Sequence, residues 1–167
     1  MYESDTTIIE QADEGYDLVY ARVDVTLSEH VEFGAANGPG NIDIEGNASA
    51  NQIIGNADSN VLSGLGGNDR LRGLDGVDTI DGGTGSDVLE GGSDADHFVF
   101  ETGDGTDLIL DFEVGTDVID LTATGAQFAD LTIVQSSLDV LVLYGSDVIR
   151  VANTTVAELD SAQFEFA

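Results

Sequence analysis

Large apolar residues recur every nine residues between Gly46 and Val99, at Ile53, Leu62, Leu71, Ile80, Leu89 and Phe98. The segments between them are polar and glycine-rich. The stretch divides without insertion into six units: GNASANQII, GNADSNVLS, GLGGNDRLR, GLDGVDTID, GGTGSDVLE and GGSDADHFV. Each opens on glycine, at Gly46, Gly55, Gly64, Gly73, Gly82 and Gly91. Within a unit the apolar residue is position 8, and its flanks at positions 7 and 9 include Arg70, Arg72, Asp81 and Glu90. Side chains alternate between faces along a strand. Position 8 therefore points into a core and its neighbours point to water. Each unit reads as a six-residue turn followed by a three-residue strand. One such unit cannot bury its apolar residue, whereas a stack of them can. Two units make one coil, with a strand on each side, so units two apart lie over one another. The predicted fold is all-β, a parallel β-roll.

The flanks are β-rich but leave this period. Thr6–Glu10 reads as a short strand, and 17–27 as a longer one with clear alternation from Arg22 to Leu27. Asn37-Gly38-Pro39-Gly40 holds the only proline and reads as a turn. Ile44 stands nine residues before Ile53 and begins the apolar ladder. Residues 1–45 are thus expected to form a lead-in that caps the open end of the stack, 46–99 the roll, and 100–167 a C-terminal β cap. In that cap, strands are expected at Leu131–Val134, Val140–Tyr144 and Val148–Val151, the last two joined as a hairpin through Gly145-Ser146. Thr155–Glu158 fits a capping box opening a short helix, and Gln163–Ala167 a final strand.

Charge changes the picture. The chain has 167 residues, a net charge of −29, and 33 acidic residues against four basic ones. All four basic residues are arginines: Arg22, Arg70, Arg72 and Arg150. Such a chain is unsuited to binding nucleic acid or an anionic membrane surface. Position 6 of the units is Asn51, Asn60, Asp69, Asp78, Asp87 and Asp96. Stacking places Asp69 over Asp87 and Asp78 over Asp96 at about 4.8 Å, one strand spacing. The paired carboxylates repel unless a cation lies between them. Carboxylates and turn carbonyls make an all-oxygen shell, which suits calcium better than magnesium with its strict octahedron, and lacks the nitrogen and sulfur that zinc prefers.

These units resemble the RTX (repeat-in-toxin) nonapeptide GGxGxDxUx, U being a large apolar residue. GGTGSDVLE matches throughout. GLGGNDRLR and GLDGVDTID lack the second glycine, and GGSDADHFV has Asp94 for the fourth-position glycine. The resemblance implies a right-handed β-solenoid with several calcium ions held in its turns. The implied ligands are Gly64, Gly66, Gly67 and Asp69; Gly73, Asp75, Gly76 and Asp78; Gly82, Gly83, Thr84, Gly85 and Asp87; and Gly91, Gly92, Ser93, Asp94 and Asp96. Asn51 and Asn60, with Ser49 and Asp58 for glycine, imply metal-free scaffold turns in the first two units. After Val99, FETGDGTDLILDF resembles the segment that closes the roll in secreted RTX proteases and lyases, and implies a last calcium site from Asp104, Asp107 and Asp111.

Catalytic signatures are missing. The sequence has no HExxH zinc motif, no GxSxG elbow and no phosphate loop. It has no cysteine, hence no disulfide framework. His30 and His97 read as surface residues, and Arg72 with Glu90 as an outward cross-strand ion pair. No apolar run approaches the roughly 20 residues of a membrane span. The expected function is a non-catalytic module that folds on binding extracellular calcium. By resemblance it belongs to a larger bacterial protein exported by type I secretion machinery, its C-terminal end carrying an uncleaved signal. Two other readings are a carbohydrate-binding accessory module for alginate-like polysaccharide and a calcium-rigidified adhesin segment. Arg70 and Arg72 alone supply positive charge on the roll, which weighs against a polyanionic ligand.

Overall fold

The computed structural model describes residues 15–167. The strand expected at Thr6–Glu10 lies outside them. The described residues form strands and short 3-10 turns with no α-helix. None of them forms a helix long and apolar enough to cross a membrane.

Two sheets face each other across one apolar core. On one side run β1 (Leu18–Ala21), β3 (Phe33–Ala36), β5 (Gln52–Ile54), β7 (Arg70–Asp75), β10 (Val88–Ser93), β12 (Thr106–Ile109), β16 (Asp147–Val151), β15 (Asp139–Tyr144) and β14 (Thr132–Ser136), in that spatial order. On the other side run β2 (Val25–Thr26), β4 (Ile44–Asn47), β6 (Val61–Gly67), β8 (Thr79–Asp81), β11 (His97–Val99), β13 (Val118–Asp120) and β17 (Phe164–Glu165). A two-residue strand, β9 (Thr84–Gly85), pairs with β6 at the turns. The chain alternates between the sheets, and every pairing is parallel until β16.

Within the repeats, partners are two units apart, as the period predicts. Ile44 pairs Leu62, Leu62 pairs Ile80, and Ile80 pairs Phe98 in one sheet. Ile53 pairs Leu71 and Leu71 pairs Leu89 in the other. The position-8 side chains Ile53, Leu62, Leu71, Ile80, Leu89 and Phe98 are all 0% exposed. Stacking extends past the repeats in both directions with looser spacing. Val25 pairs Ile44 and Gly34 pairs Ile53 upstream; Leu89 pairs Ile109 and Phe98 pairs Ile119 downstream. At Gly34 the ladder lacks a side chain, and Leu27 with Ile44 fills the space, each 3.2 Å from where a Cβ would stand.

The C-terminal end closes differently. β15 and β16 form the expected antiparallel hairpin across Gly145-Ser146, and β14 adds a further antiparallel edge. The helix expected from Thr155 does not form. Glu158 does accept from the Thr155 amide (2.8 Å) and hydroxyl (2.7 Å), and its own N–H donates to the Thr155 carbonyl (2.9 Å). The chain then leaves after one turn, because Leu159 is drawn into the core, 3% exposed.

Candidate metal centre

The glycine turns bring the position-6 side chains inside the roll. At positions 2 and 4 the backbone is left-handed: Leu65, Gly83 and Gly92 have φ of 68°, 76° and 110°, and Gly67, Gly76 and Asp94 have 111°, 108° and 79°. Residues with a Cβ are disfavoured there, which is why the repeat favours glycine at both places. At position 1 the reason is different: a Cβ on Gly73 would collide with the Asp78 carboxylate and the Gly91 carbonyl. The space beside each position-1 glycine is thus lined by oxygen.

Asp69, Asp78, Asp87 and Asp96 are between 0% and 2% exposed. They do not stack face to face. One oxygen of each accepts the main-chain N–H of the position-6 residue in the coil below. Asn51 N–H donates to Asp69 (2.6 Å), Asp69 N–H to Asp87 (2.7 Å), and Asp87 N–H to Asp107 (3.0 Å). On the other side Asn60 N–H donates to Asp78 (2.7 Å), Asp78 N–H to Asp96 (2.9 Å), and Asp96 N–H to Asp117 (3.0 Å). Two carboxylate columns result, one along each side of the roll.

The second oxygens are the anomaly. Oδ2 of Asp69, Asp78, Asp87, Asp96 and Asp107 is buried without any hydrogen-bond partner. Buried polar atoms are nearly always satisfied, and an unsatisfied charged one is costly. Burial is accordingly the largest influence on these groups. It pushes Asp69, Asp96 and Asp107 up to about 7, and Asp78 and Asp87 up to about 6. The N–H donors pull the other way, and neighbouring carboxylates add to the rise for Asp69, Asp87, Asp96 and Asp107.

Asn51 and Asn60 occupy the same position without an orphan. Asn51 accepts from Asn47 N–H (2.8 Å) and donates through Nδ2 to the Val31 carbonyl (2.8 Å). Asn60 accepts from Asn56 N–H (2.8 Å) and donates to the Ile42 carbonyl (3.0 Å). The amide supplies a donor where a carboxylate has none. Unpartnered carboxylate oxygens facing carbonyl oxygens fit a hard cation such as calcium. Among the described residues no three carboxylate or imidazole groups close on one point by themselves, so main-chain oxygens have to complete any shell.

Residues 45–80 and 72–109 match the profile of the RTX calcium-binding nonapeptide repeat, in four copies. The chain carries an RTX repeat array. Among solved structures it is similar to the AlgE6R3 subunit of the Azotobacter vinelandii mannuronan C5-epimerase, at 27% identity and a TM-score of 0.61, over 72% of this chain and 80% of that one. It also matches the extracellular lipase LipA of Serratia marcescens at 13% identity and a TM-score of 0.46, over 86% of this chain and 42% of the lipase. No curated protein sequence matches it.

The remaining predicted residues fall in three places. Gly64 and Gly66 lie in the second half of β6, Ser93 ends β10 and Gly82 lies between β8 and β9; Gly66 and Gly67 pair with Thr84 and Gly85 of β9. Asp75 ends β7 and Asp94 follows β10, both exposed, and Asp94 accepts a long contact from Gly76 N–H (3.4 Å). The trio Asp104, Asp107 and Asp111 is divided. Asp107 continues one column beside Asp104. Asp111 instead accepts from Gly91 and Gly92 N–H, both at 3.0 Å, and borders Asp96. Sequence reasoning missed Asp117 and Asp147 as site residues. Both lie in a G-x-D-x-I signature, Gly115-Thr116-Asp117-Val118-Ile119 and Gly145-Ser146-Asp147-Val148-Ile149, that repeats positions 4, 6 and 8 of a unit. On the outer face, Glu90 joins both Arg70 (3.3 Å) and Arg72 (3.2 Å). His30 is exposed and His97 half-buried.

Proposed function

We propose that the turns from Gly64 to Asp96, together with Asp107, bind several calcium ions, and that binding drives the module to fold. The observation that carries this reading is the set of five buried, unpartnered carboxylate oxygens in two columns. Asp69 and Asp87 serve one side, Asp78 and Asp96 the other, each with carbonyls of the stacked glycine turns. Calcium supplies the positive charge that lets these buried carboxylates stay ionised. The protein's own part is to aim them, exclude water, and hold one oxygen of each on a main-chain N–H.

In a calcium-poor bacterial cytosol the chain then stays expanded, and in millimolar extracellular calcium it closes into the roll. This suits a module of a larger secreted protein, aiding its type I export and folding. Each site adds RT ln(1 + [L]/Kd) to stability, about 0.4–1.4 kcal/mol at 1 mM calcium for a Kd of 10⁻³ to 10⁻⁴ M. Far-UV circular dichroism during a calcium titration from EDTA, with magnesium as control, tests the reading. A cooperative gain of β signal with calcium alone is expected. A β spectrum in EDTA at pH 7.5 that calcium leaves unchanged refutes it.

A second reading draws on the outer face of the nine-stranded sheet. Arg70 and Arg150 project there, in one column with Val88 and Leu108, and Arg72 stands two residues along beside Glu90; the similar epimerase subunit suggests a polyuronate chain as ligand. Arg150 is engaged by Asp139 and the other two by Glu90. Titration with alginate oligomers in calcium separates the readings, since the folding module needs no response to sugar.

A further inference from the structure

Among the described residues four strands end the two sheets, and three of them are poor templates for a further strand. β2 and β17 are two residues long, and β1 is flanked by the charged Asp17 and Arg22. β14 is the exception. It runs from Thr132 to Ser136 at the C-terminal edge of the nine-stranded sheet, and among the described residues it pairs with β15 alone. The two-residue turn Ser137-Leu138 makes Ser136 and Asp139 a hydrogen-bonded pair, and alternation then bonds Val134 to Leu141 and Thr132 to Leu143. The main-chain N–H and C=O of Ile133 and Gln135 therefore point away from the sheet. Natural edges of this kind are blunted by a charge, a proline or a bulge. Residues 131–138 carry no charge and no proline, in a chain with 33 acidic residues, and the β14–β15 register runs without a bulge. Val134 is 44% exposed and Leu138 72%. The strand is also held in place. The Gln135 side chain donates to the Asp139 (2.9 Å) and Thr154 (3.1 Å) carbonyls and accepts from Val156 N–H (3.0 Å).

We propose that β14 is a self-association edge: it pairs antiparallel with β14 of a second copy, about a two-fold axis at Val134, and makes one continuous sheet across two rolls. The strand itself selects this occupant. With Val134 opposite Val134, Ile133 falls opposite Gln135 and Thr132 opposite Ser136. The outward N–H and C=O groups of each strand then meet those of the other. The two valine side chains form a non-hydrogen-bonded pair, in which cross-strand side chains come closest. No carboxylate is brought against another within the paired stretch. β14 stands last in its sheet, so the contact joins the rolls end to end. That arrangement keeps two bodies of net charge −29 farther apart than a side-by-side contact would. A two-fold contact closes on itself and stops at a dimer. One short edge is small beside the roughly 1,200–2,000 Å² of a stable interface, so the dimer is weak and concentration-dependent. It requires a folded roll, whatever neutralises the carboxylate columns.

The test uses the full chain under conditions that give its β spectrum. Sedimentation velocity across a concentration series is expected to show monomer passing to dimer, with no larger species. Val134→Lys sets two like charges against each other at the axis, and is expected to keep the β spectrum and lose the dimer. The chain has no cysteine, so Val134→Cys gives a second readout that stands should Val134→Lys fail to fold. In the pair its Cα atoms lie about 4.5 Å apart, within disulfide reach. Mild oxidation is expected to cross-link it about tenfold faster than Val61→Cys, where the valine is similarly exposed (48%) on the other sheet. A chain that stays monomeric through the millimolar range overturns the proposal. So does equal cross-linking of the two cysteine variants, or a dimer that survives Val134→Lys, which places the contact on a sheet face or another edge.

Discussion

Asp78→Asn isolates the cost of a buried carboxylate, and the chain already contains its template in Asn60, one coil away. Asp78 is 0% exposed, with one oxygen on Asn60 N–H and the other without a partner. Burial raises it from 3.8 to about 6. Below pH 4 the group is protonated whether folded or not, and it costs nothing. As pH rises through 4 to 6 the unfolded chain ionises first, so the metal-free fold loses stability, and above 6 the full penalty applies. At 1.36 kcal/mol per unit this is about 3 kcal/mol at pH 7.5. An asparagine removes the charge and offers an amide donor to the coil below, as Asn60 does toward Ile42. Urea denaturation at pH 7.5 is therefore expected to show the variant about 3 kcal/mol more stable than wild type in EDTA. In 10 mM calcium the gap narrows by about 1.4–2.7 kcal/mol, the contribution of the lost site for a Kd of 10⁻³ to 10⁻⁴ M. A variant less stable than wild type in EDTA refutes the reasoning, because it shows that the orphan oxygen carried no penalty.

The other predictions probe separate parts of the same architecture. In EDTA, lowering pH from 7.5 to 5 should increase β signal, since Asp69, Asp96 and Asp107 rise to about 7 and take up protons on folding; a spectrum flat with pH contradicts this. Leu65 is 47% exposed with φ of 68°, so Leu65→Gly should raise the calcium-bound melting temperature by the equivalent of about 1 kcal/mol; a lower one counts against the strain. Gly73→Ala places a Cβ against Asp78 and the Gly91 carbonyl and should weaken the calcium response measured by circular dichroism; an unaltered midpoint denies the oxygen-lined niche. Leu71→Ala empties a fully buried ladder position and should cost about 2–5 kcal/mol in chemical denaturation; a loss under 1 kcal/mol argues against the packed core.

The sequence was most informative where one rule repeats. A uniform nine-residue period with apolar position 8 leaves a single stacking register, so both sheets and the central ladder could be written down from Ile44 to Phe98. Reading failed where insertions change the spacing. The steps from Leu89 to Ile109 and from Phe98 to Ile119 exceed a coil by two and three residues, and those insertions send Asp111 to one side of the roll and Asp107 to the other. Proximity in sequence made Asp104, Asp107 and Asp111 look like one cluster. The atomic form of the aspartate stack was also hidden. Spacing shows that Asp69 lies under Asp87, but not that a main-chain N–H intervenes and leaves only one oxygen of each pair exposed to the niche.

The charge penalty explains why such a fold can be switched by a cation. A domain's net stability is about 5–15 kcal/mol. Five buried carboxylates that burial pushes up to about 6 or 7 work against that margin above pH 7. On the proposed calcium reading, the roll forms when protons or cations neutralise the columns. The asparagines mark where this dependence begins. Asn51 and Asn60 satisfy the first full coil of the array through amides; among the described residues the β1–β5 end carries no orphan side-chain oxygen, and the orphans lie between Asp69 and Asp107. On the proposed calcium reading, dependence on the ion is confined to the stretch from Asp69 to Asp107, and hydrogen exchange in EDTA at pH 7.5 should find residual protection at Ile44 and Ile53 and none at Leu89 and Ile109. Uniform exchange along the ladder would mean that the coils fold as one block and that the asparagine end has no stability of its own.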